Sequence, residues 1–146
     1  AEILQKQYDA AVADLNTWSS AYLNTTKKTF TKDEIIAFYK ALDYSTATNP
    51  TIKKQLHPAF TLDGGEDQLM LLQHLLQCRR VATAHEGLRW FDIRRYGIEV
   101  FRFVHDAKDR AKFTVAKTLS SWDEHTTFQI PQNVRNAGME PTPRTK

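Results

Sequence analysis

Apolar residues recur through residues 3–23 in alternating steps of four and three: Leu4, Tyr8, Ala11, Leu15, Trp18 and Tyr22. An α-helix turns once in about 3.6 residues, so this spacing lines all six along one face. Gln5, Lys6, Asp9, Asp14 and Asn16 fall elsewhere, and the pattern predicts an amphipathic helix whose seam needs a partner to cover it. Asn24, Thr25, Thr26 and the Lys27–Lys28 pair form a polar connection. The next helix start is marked by Thr31 and Glu34 at capping-box spacing, with Phe30 and Ile35 placed as a hydrophobic staple. Ile36, Phe38, Tyr39 and Leu42 carry that helix onward. After the polar stretch from Asp43, Asn49–Pro50 suits an N-cap and first helical position, predicting a short helix that ends before Pro58.

Asp63-Gly64-Gly65 signals a turn and precedes the longest periodic stretch, residues 66–96. Leu69, Leu72 and Leu76 share one face, while Leu71, Leu75, Cys78 and Ala82 form a second. Two apolar stripes predict a helix buried around much of its circumference. Gly87 is expected to break or bend it, leaving a shorter helix over Leu88–Tyr96 that ends at Gly97. Beyond that point the period changes. Ile98–Val104 and Phe113–Leu119, rich in β-branched and aromatic residues, read as two strands joined through the charged Asp106–Arg110 loop. Thr126–Ile130 reads as extended, Pro131 opens a helical turn that Gly138 ends, and Met139 to Lys146 reads as exposed coil. These elements predict a single domain over residues 1–146, mainly α (α+β), with a short β-hairpin and an irregular C-terminal segment.

Composition narrows this picture only slightly. A chain of 146 residues suffices for one domain, which at that size buries about 70% of its unfolded surface. Twenty basic residues against 17 acidic ones leave a net charge of +3, too mild a balance to demand a nucleic-acid or anionic-membrane partner. Cys78 is the only cysteine, which excludes an internal disulfide. The first ten residues carry charge and no signal-peptide core or lipidation cysteine, so the protein is either cytosolic or begins downstream of a removed targeting segment.

Candidate chemistry is sparse. His85-Glu86 resembles the start of a zinc-peptidase helix, but Arg89 stands where the second histidine belongs. His105-Asp106 lacks accompanying ligands at helical spacing, and His57, His74 and His125 form no pattern a metal requires. Gly64-Gly65 is not followed by the Lys-Ser or Lys-Thr of a phosphate loop, and Ser19-Ser20 and Ser120-Ser121 lack nucleophile-elbow glycines. Cys78 falls in an apolar stripe, where a thiol acts as a small hydrophobe. No catalytic residue, metal site or cofactor is therefore expected. The densest cluster, Arg79 to Tyr96, interleaves arginines with aromatics, and such a cluster can serve single-stranded nucleic acid. Helical spacing favours a structural role: Trp90 and Ile93 turn inward, and Asp92 has Arg89 and Arg95 three residues to either side.

The same residues resemble a family signature. Arg79–Gly97 (RRVATAHEGLRWFDIRRYG) is similar to the pattern near the C-terminal end of SusD/RagB-family nutrient-uptake lipoproteins, with Arg79, Arg80, Ala84, Glu86, Gly87, Arg89, Asp92, Arg95 and Gly97 in agreement. Phe128–Arg144 (FQIPQNVRNAGMEPTPR) is similar to the closing motif of the same family. Cys78, Ala82 and Thr83 depart from the first motif, and Asp123-Glu124-His125 and Thr142 from the second region. The resemblance covers the last ~80 residues. It implies a mostly helical fold with tetratricopeptide-like helix packing. It implies too a non-catalytic glycan- or peptide-binding role beside a TonB-dependent (SusC-like) outer-membrane transporter, at the cell surface and lipid-anchored. Family members are several times longer, so the chain is expected to be the C-terminal portion of such a protein, with the lipidated N-terminus and most of the ligand platform upstream. No ligand-contact residue carries over, and no nucleic-acid partner is expected. Trp18 and Trp122 offer faces for a sugar ring only if they are exposed.

Overall fold

A computed structural model describes residues 1–27 and 29–143; Lys28 of the predicted polar connection and Arg144 of the closing motif lie outside them. The protein is mostly helical with a small two-stranded antiparallel sheet. In chain order the elements are α1 (Tyr8–Tyr22), α2 (Lys32–Ala41), α3 (Gly65–Ala82), α4 (Arg89–Tyr96), β1 (Val100–His105), β2 (Phe113–Leu119), a 3-10 turn (Glu124–Thr126) and α5 (Gln132–Asn136).

α3 is the central element, packed against α1, α2 and α4. Its two apolar stripes account for this: Leu71 and Leu72 are wholly shut from solvent, with Met70 and Leu76 nearly so. Ala11 and Val12 of α1, Ile35, Ile36 and Tyr39 of α2, and Tyr96 and Ile98 beyond α3 complete the same core. Two glutamines buried on α3 serve as connectors, because a buried amide must find partners for both its ends. Gln68 accepts from Gly64 N at 3.0 Å and donates to the Ile3 carbonyl at 3.0 Å. Gln73 accepts from Lys54 N at 2.9 Å and donates to the Lys54 carbonyl. The α2 start is capped as the sequence predicts: Thr31 Oγ1 accepts from Glu34 N at 3.2 Å, and the Glu34 carboxylate accepts from Thr31 N at 2.8 Å.

Several expectations need correction. The first helix begins at Tyr8, with residues 2–6 in turns, and its buried stripe is Ala11, Val12, Leu15 and Ser19. Tyr22 is 71% exposed and stacks on Trp18 at 5.5 Å. The largest rings at the end of this helix therefore cover each other instead of the core. No helix forms after Asn49–Pro50. The turn before it is closed by Asn49 N donating to Thr46 Oγ1 at 3.0 Å, and the following backbone runs irregularly along α3. There Gln73 takes the Lys54 N–H and carbonyl, and Ser45 N donates to the Lys53 carbonyl at 2.8 Å, so side-chain and cross-segment bonds replace an internal ladder. α3 ends at Ala82, earlier than the expected break at Gly87, because His85 as well as Gly87 adopts a positive φ (69° and 75°). That conformation cannot continue a right-handed helix.

The strands pair from Val100 with Leu119 to His105 with Phe113, with an irregularity between Arg102 and Phe103. Pro131 caps α5, and the turn ends at Gly138 with φ of 101°. Among the described residues, no helix is long and apolar enough to cross a membrane.

Candidate functional site

The Arg79–Gly97 segment comprises the end of α3, a turn and α4, and several of its polar groups join elements. Asp92 is 4% exposed, and its carboxylate accepts from Arg79 Nε at 3.1 and 3.3 Å. Helical spacing had paired Asp92 with Arg89 and Arg95; the partner comes instead from α3, because Asp92 faces that helix. Arg95 lies over the Phe60 and Tyr96 rings at 5.6 and 5.9 Å. Trp90 is half-buried, with its indole nitrogen donating to the Thr126 carbonyl at 3.2 Å and its ring 6.3 Å from Phe128. Gly97 caps α4 in the left-handed region, at φ of 56°. Around it, His57 N donates to the Tyr96 carbonyl, Trp122 Nε1 to the His57 carbonyl and Ser121 Oγ to the Gly97 carbonyl, each at 2.7 Å. Trp122 is therefore exposed on one side but tied down by its polar atom.

Three arginines of the segment take no part in this bracing: Arg94, which is exposed, and Arg80 and Arg89. Arg80 on α3 and Arg89 at the start of α4 line a cleft of about 610 Å³ together with Lys54, and Phe101, Phe103 and Phe113 of the hairpin form its aromatic wall. Phe103 meets Phe113 edge-on at 5.0 Å and Phe101 at 6.2 Å. Lys54 Nζ donates to Ser45 Oγ at 2.7 Å. Burial, reinforced by the charges of Arg80 and Arg89, pushes the Lys54 ammonium down to about 8. Burial also lowers Arg89, opposed by nearby Asp92 and reinforced by Arg80 and Arg79. One terminal nitrogen of Arg89 is shut from water without a hydrogen-bond partner, a costly state for a charged donor.

This crowding has a measurable consequence. A lysine depressed from its usual 10.5 to about 8 loses its proton in the folded protein before the unfolded chain does. Between those values the unfolded chain binds more protons, so folding stability rises with pH there, while below about pH 8 the whole penalty persists. Lys54→Gln is therefore expected to raise the melting temperature at pH 7, with the advantage over wild type shrinking by pH 10. Melts at the two pH values check this; a variant less stable than wild type at pH 7 contradicts the depressed lysine.

The remaining candidates scatter. His85 and Glu86 are exposed in the turn after α3. His105 Nδ1 donates to the Arg110 carbonyl at 2.9 Å, and Asp106 accepts from Lys108 N and Asp109 N within the hairpin loop. His125 pairs with Asp123 at 2.7 Å. His74 sits 3.7 Å from the Cys78 sulfur, and burial lowers the imidazole and pushes the thiol up to about 11. A thiol held so high is a poor nucleophile at neutral pH. Both line a mostly apolar groove of about 460 Å³ between α1, α2 and α3, which Trp18, Phe38 and Val81 also border. Among the described residues no group of three or more His, Cys, Asp or Glu side chains assembles a metal-binding set.

Sequence reasoning singled out Arg80 and Arg89 but missed Lys54 and the three phenylalanines as their neighbours. The only signal was alternation of Phe101 and Phe103, which places both on one strand face. Searches of family models, curated proteins and solved structures return no match to this chain.

Proposed function

We propose that this chain is the C-terminal scaffold portion of a non-catalytic glycan- or nutrient-binding protein serving a TonB-dependent outer-membrane transporter, lipid-anchored at the cell surface through an upstream N-terminus. The observation that carries the reading is the pair of SusD/RagB-like motifs, Arg79–Gly97 and Phe128–Arg144, in the family's order. The contacts of the first motif support it. Arg79, Asp92 and Gly97 bind elements of the fold to one another, as a scaffold signature should, instead of converging on a reacting centre. In this reading α2 and α3 form a tetratricopeptide-like pair, and the glycan or peptide platform lies mainly outside this chain.

The test is made on the whole gene product in its native cell. Its coding sequence is expected to begin with a signal peptide ending in a lipidation cysteine. The protein is expected to be shaved from intact cells by protease and to co-purify in detergent with a TonB-dependent transporter. A cytosolic product without a transporter overturns the proposal. Tight oligonucleotide binding by the chain, with affinity falling steeply as salt rises, would assign the Arg79–Tyr96 cluster to nucleic acid instead.

A further inference from the structure

The cleft of Lys54, Arg80 and Arg89 contains more positive charge than the fold uses. Three cationic side chains line it, against the single carboxylate of Glu99. Among the described residues Glu99 forms no ion pair with them: the cross-element pair of this region joins Arg79 to Asp92. Arg89 keeps a buried nitrogen without an acceptor, although Asp92 is close enough to act on its charge. Like charges gathered in one cleft repel one another and lose hydration, so a cluster of this kind costs the fold stability. An oxyanion relieves both costs at once, since guanidinium and ammonium groups bind carboxylate, sulfate or phosphate through charge-assisted hydrogen bonds.

The opposite wall fixes what carries the anion. Phe101, Phe103 and Phe113 form one continuous aromatic surface on the hairpin, all half-buried and all bordering the cleft. A free inorganic anion would leave that surface uncovered. A sugar ring or an aryl ring would lie against it with its apolar face while its charged substituent met the arginines and lysine. The volume, about 610 Å³, falls within the range of small-molecule sites.

We propose that this cleft is a binding site for a small molecule bearing an oxyanion on a ring-shaped body, held by Lys54, Arg80 and Arg89 through the anion and by the phenylalanine wall through the ring. The site is distinct from the upstream nutrient platform, and its existence does not depend on the transport reading. His105 also borders the cleft, but its Nδ1 is engaged with the Arg110 carbonyl.

Titration of the isotopically labelled chain, followed by its amide resonances, tests the proposal with methyl glucuronide and phenyl phosphate as the anionic probes. Methyl glucoside and inorganic phosphate serve as the neutral and ringless controls. Saturable shifts centred on residues 51–54, 80, 89 and 98–113 are expected with at least one ring-bearing anion, and whichever probe binds tighter distinguishes a sugar body from an aryl body. Both controls should bind at least ten-fold more weakly. The Lys54→Gln/Arg80→Gln double variant, which leaves the braced Arg79–Asp92 pair untouched, should lose at least ten-fold in affinity while melting no lower than wild type. Phe101→Ala should weaken the ring-bearing anion but not inorganic phosphate. Equal binding of the neutral glucoside, affinity unchanged in the double variant, or no saturation by either ring-bearing anion at millimolar concentration overturns the site.

Discussion

Replacing Asp92 with alanine is expected to destabilise the protein by about 3 kcal/mol, the lower part of the range for breaking a buried ion pair by removing one partner. The carboxylate is 4% exposed and joins α4 to Arg79 of α3. It is also the one nearby charge that favours the buried guanidinium of Arg89, so the alanine variant leaves Arg89 facing only Arg79 and Arg80. Arg79 itself is 44% exposed and regains water when its partner goes, which holds the loss to the lower end. Asp92→Asn keeps the shape and one acceptor, and should cost less. Urea unfolding of Asp92→Ala, Arg79→Ala and the double variant measures the coupling, expected within about 0.5–3 kcal/mol. A loss below about 1 kcal/mol for Asp92→Ala would mean that the pair behaves as an exposed one.

The second large effect is expected at Gly97. Its φ of 56° lies in the left-handed region, which costs an L-residue with a Cβ about 1–2 kcal/mol. A Cβ there would also stand 2.5 Å from the His57 carbonyl oxygen and 2.9 Å from the Trp122 indole nitrogen. The carbonyl is backbone and cannot swing away, so His57 must shift. That strains the bond from His57 N to the Tyr96 carbonyl and the one from Trp122 Nε1 to the His57 carbonyl, each a contribution of about 1 kcal/mol. Gly97→Ala should therefore cost about 2–4 kcal/mol in all. Gly87→Ala is the matched control. Its φ is 75° but nothing lies within 4 Å of the added carbon, so only the conformational cost of about 1–2 kcal/mol remains. Equal losses at the two positions would show that the close approach to His57 contributes nothing. Near-ultraviolet circular dichroism should also change in Gly97→Ala alone, because Trp122 loses its tether.

Both substitutions fall within the motif that resembles a family signature, and both act on the fold's internal connections. The cations Lys54, Arg80 and Arg89 line the cleft instead. That division separates a stability phenotype, expected for Asp92 and Gly97, from a binding phenotype, expected for Lys54 and Arg80.

The amino-acid sequence by itself determined the features whose causes lie within a few residues. The Thr31–Glu34 capping box and the Gly97 helix stop follow from local spacing, and the structure places both where the spacing does. The hairpin forms too, with its first strand at Val100–His105 instead of Ile98–Val104, and α3 is buried along much of both apolar stripes but leaves Ala82 exposed. Tertiary structure decided what depends on groups far apart in the chain. Asn49–Pro50 carries a valid local helix signal, yet Gln73 supplies Lys54 with both of its backbone partners from 19 residues away, and the segment stays irregular. Asp92 has two arginines at helical spacing, yet its orientation toward α3 gives it to Arg79. Trp18 and Tyr22 fit the first helix's apolar seam, yet the core is filled by Ala11, Val12 and Leu15, and the two rings stack together near the surface. The cleft is the fullest case: Lys54, Arg80, Arg89 and the hairpin phenylalanines converge only once α3, α4 and the hairpin have packed. Backbone propensity and capping act over one or two helical turns, whereas charge pairing and burial act through space, and only the packed chain brings their partners within reach.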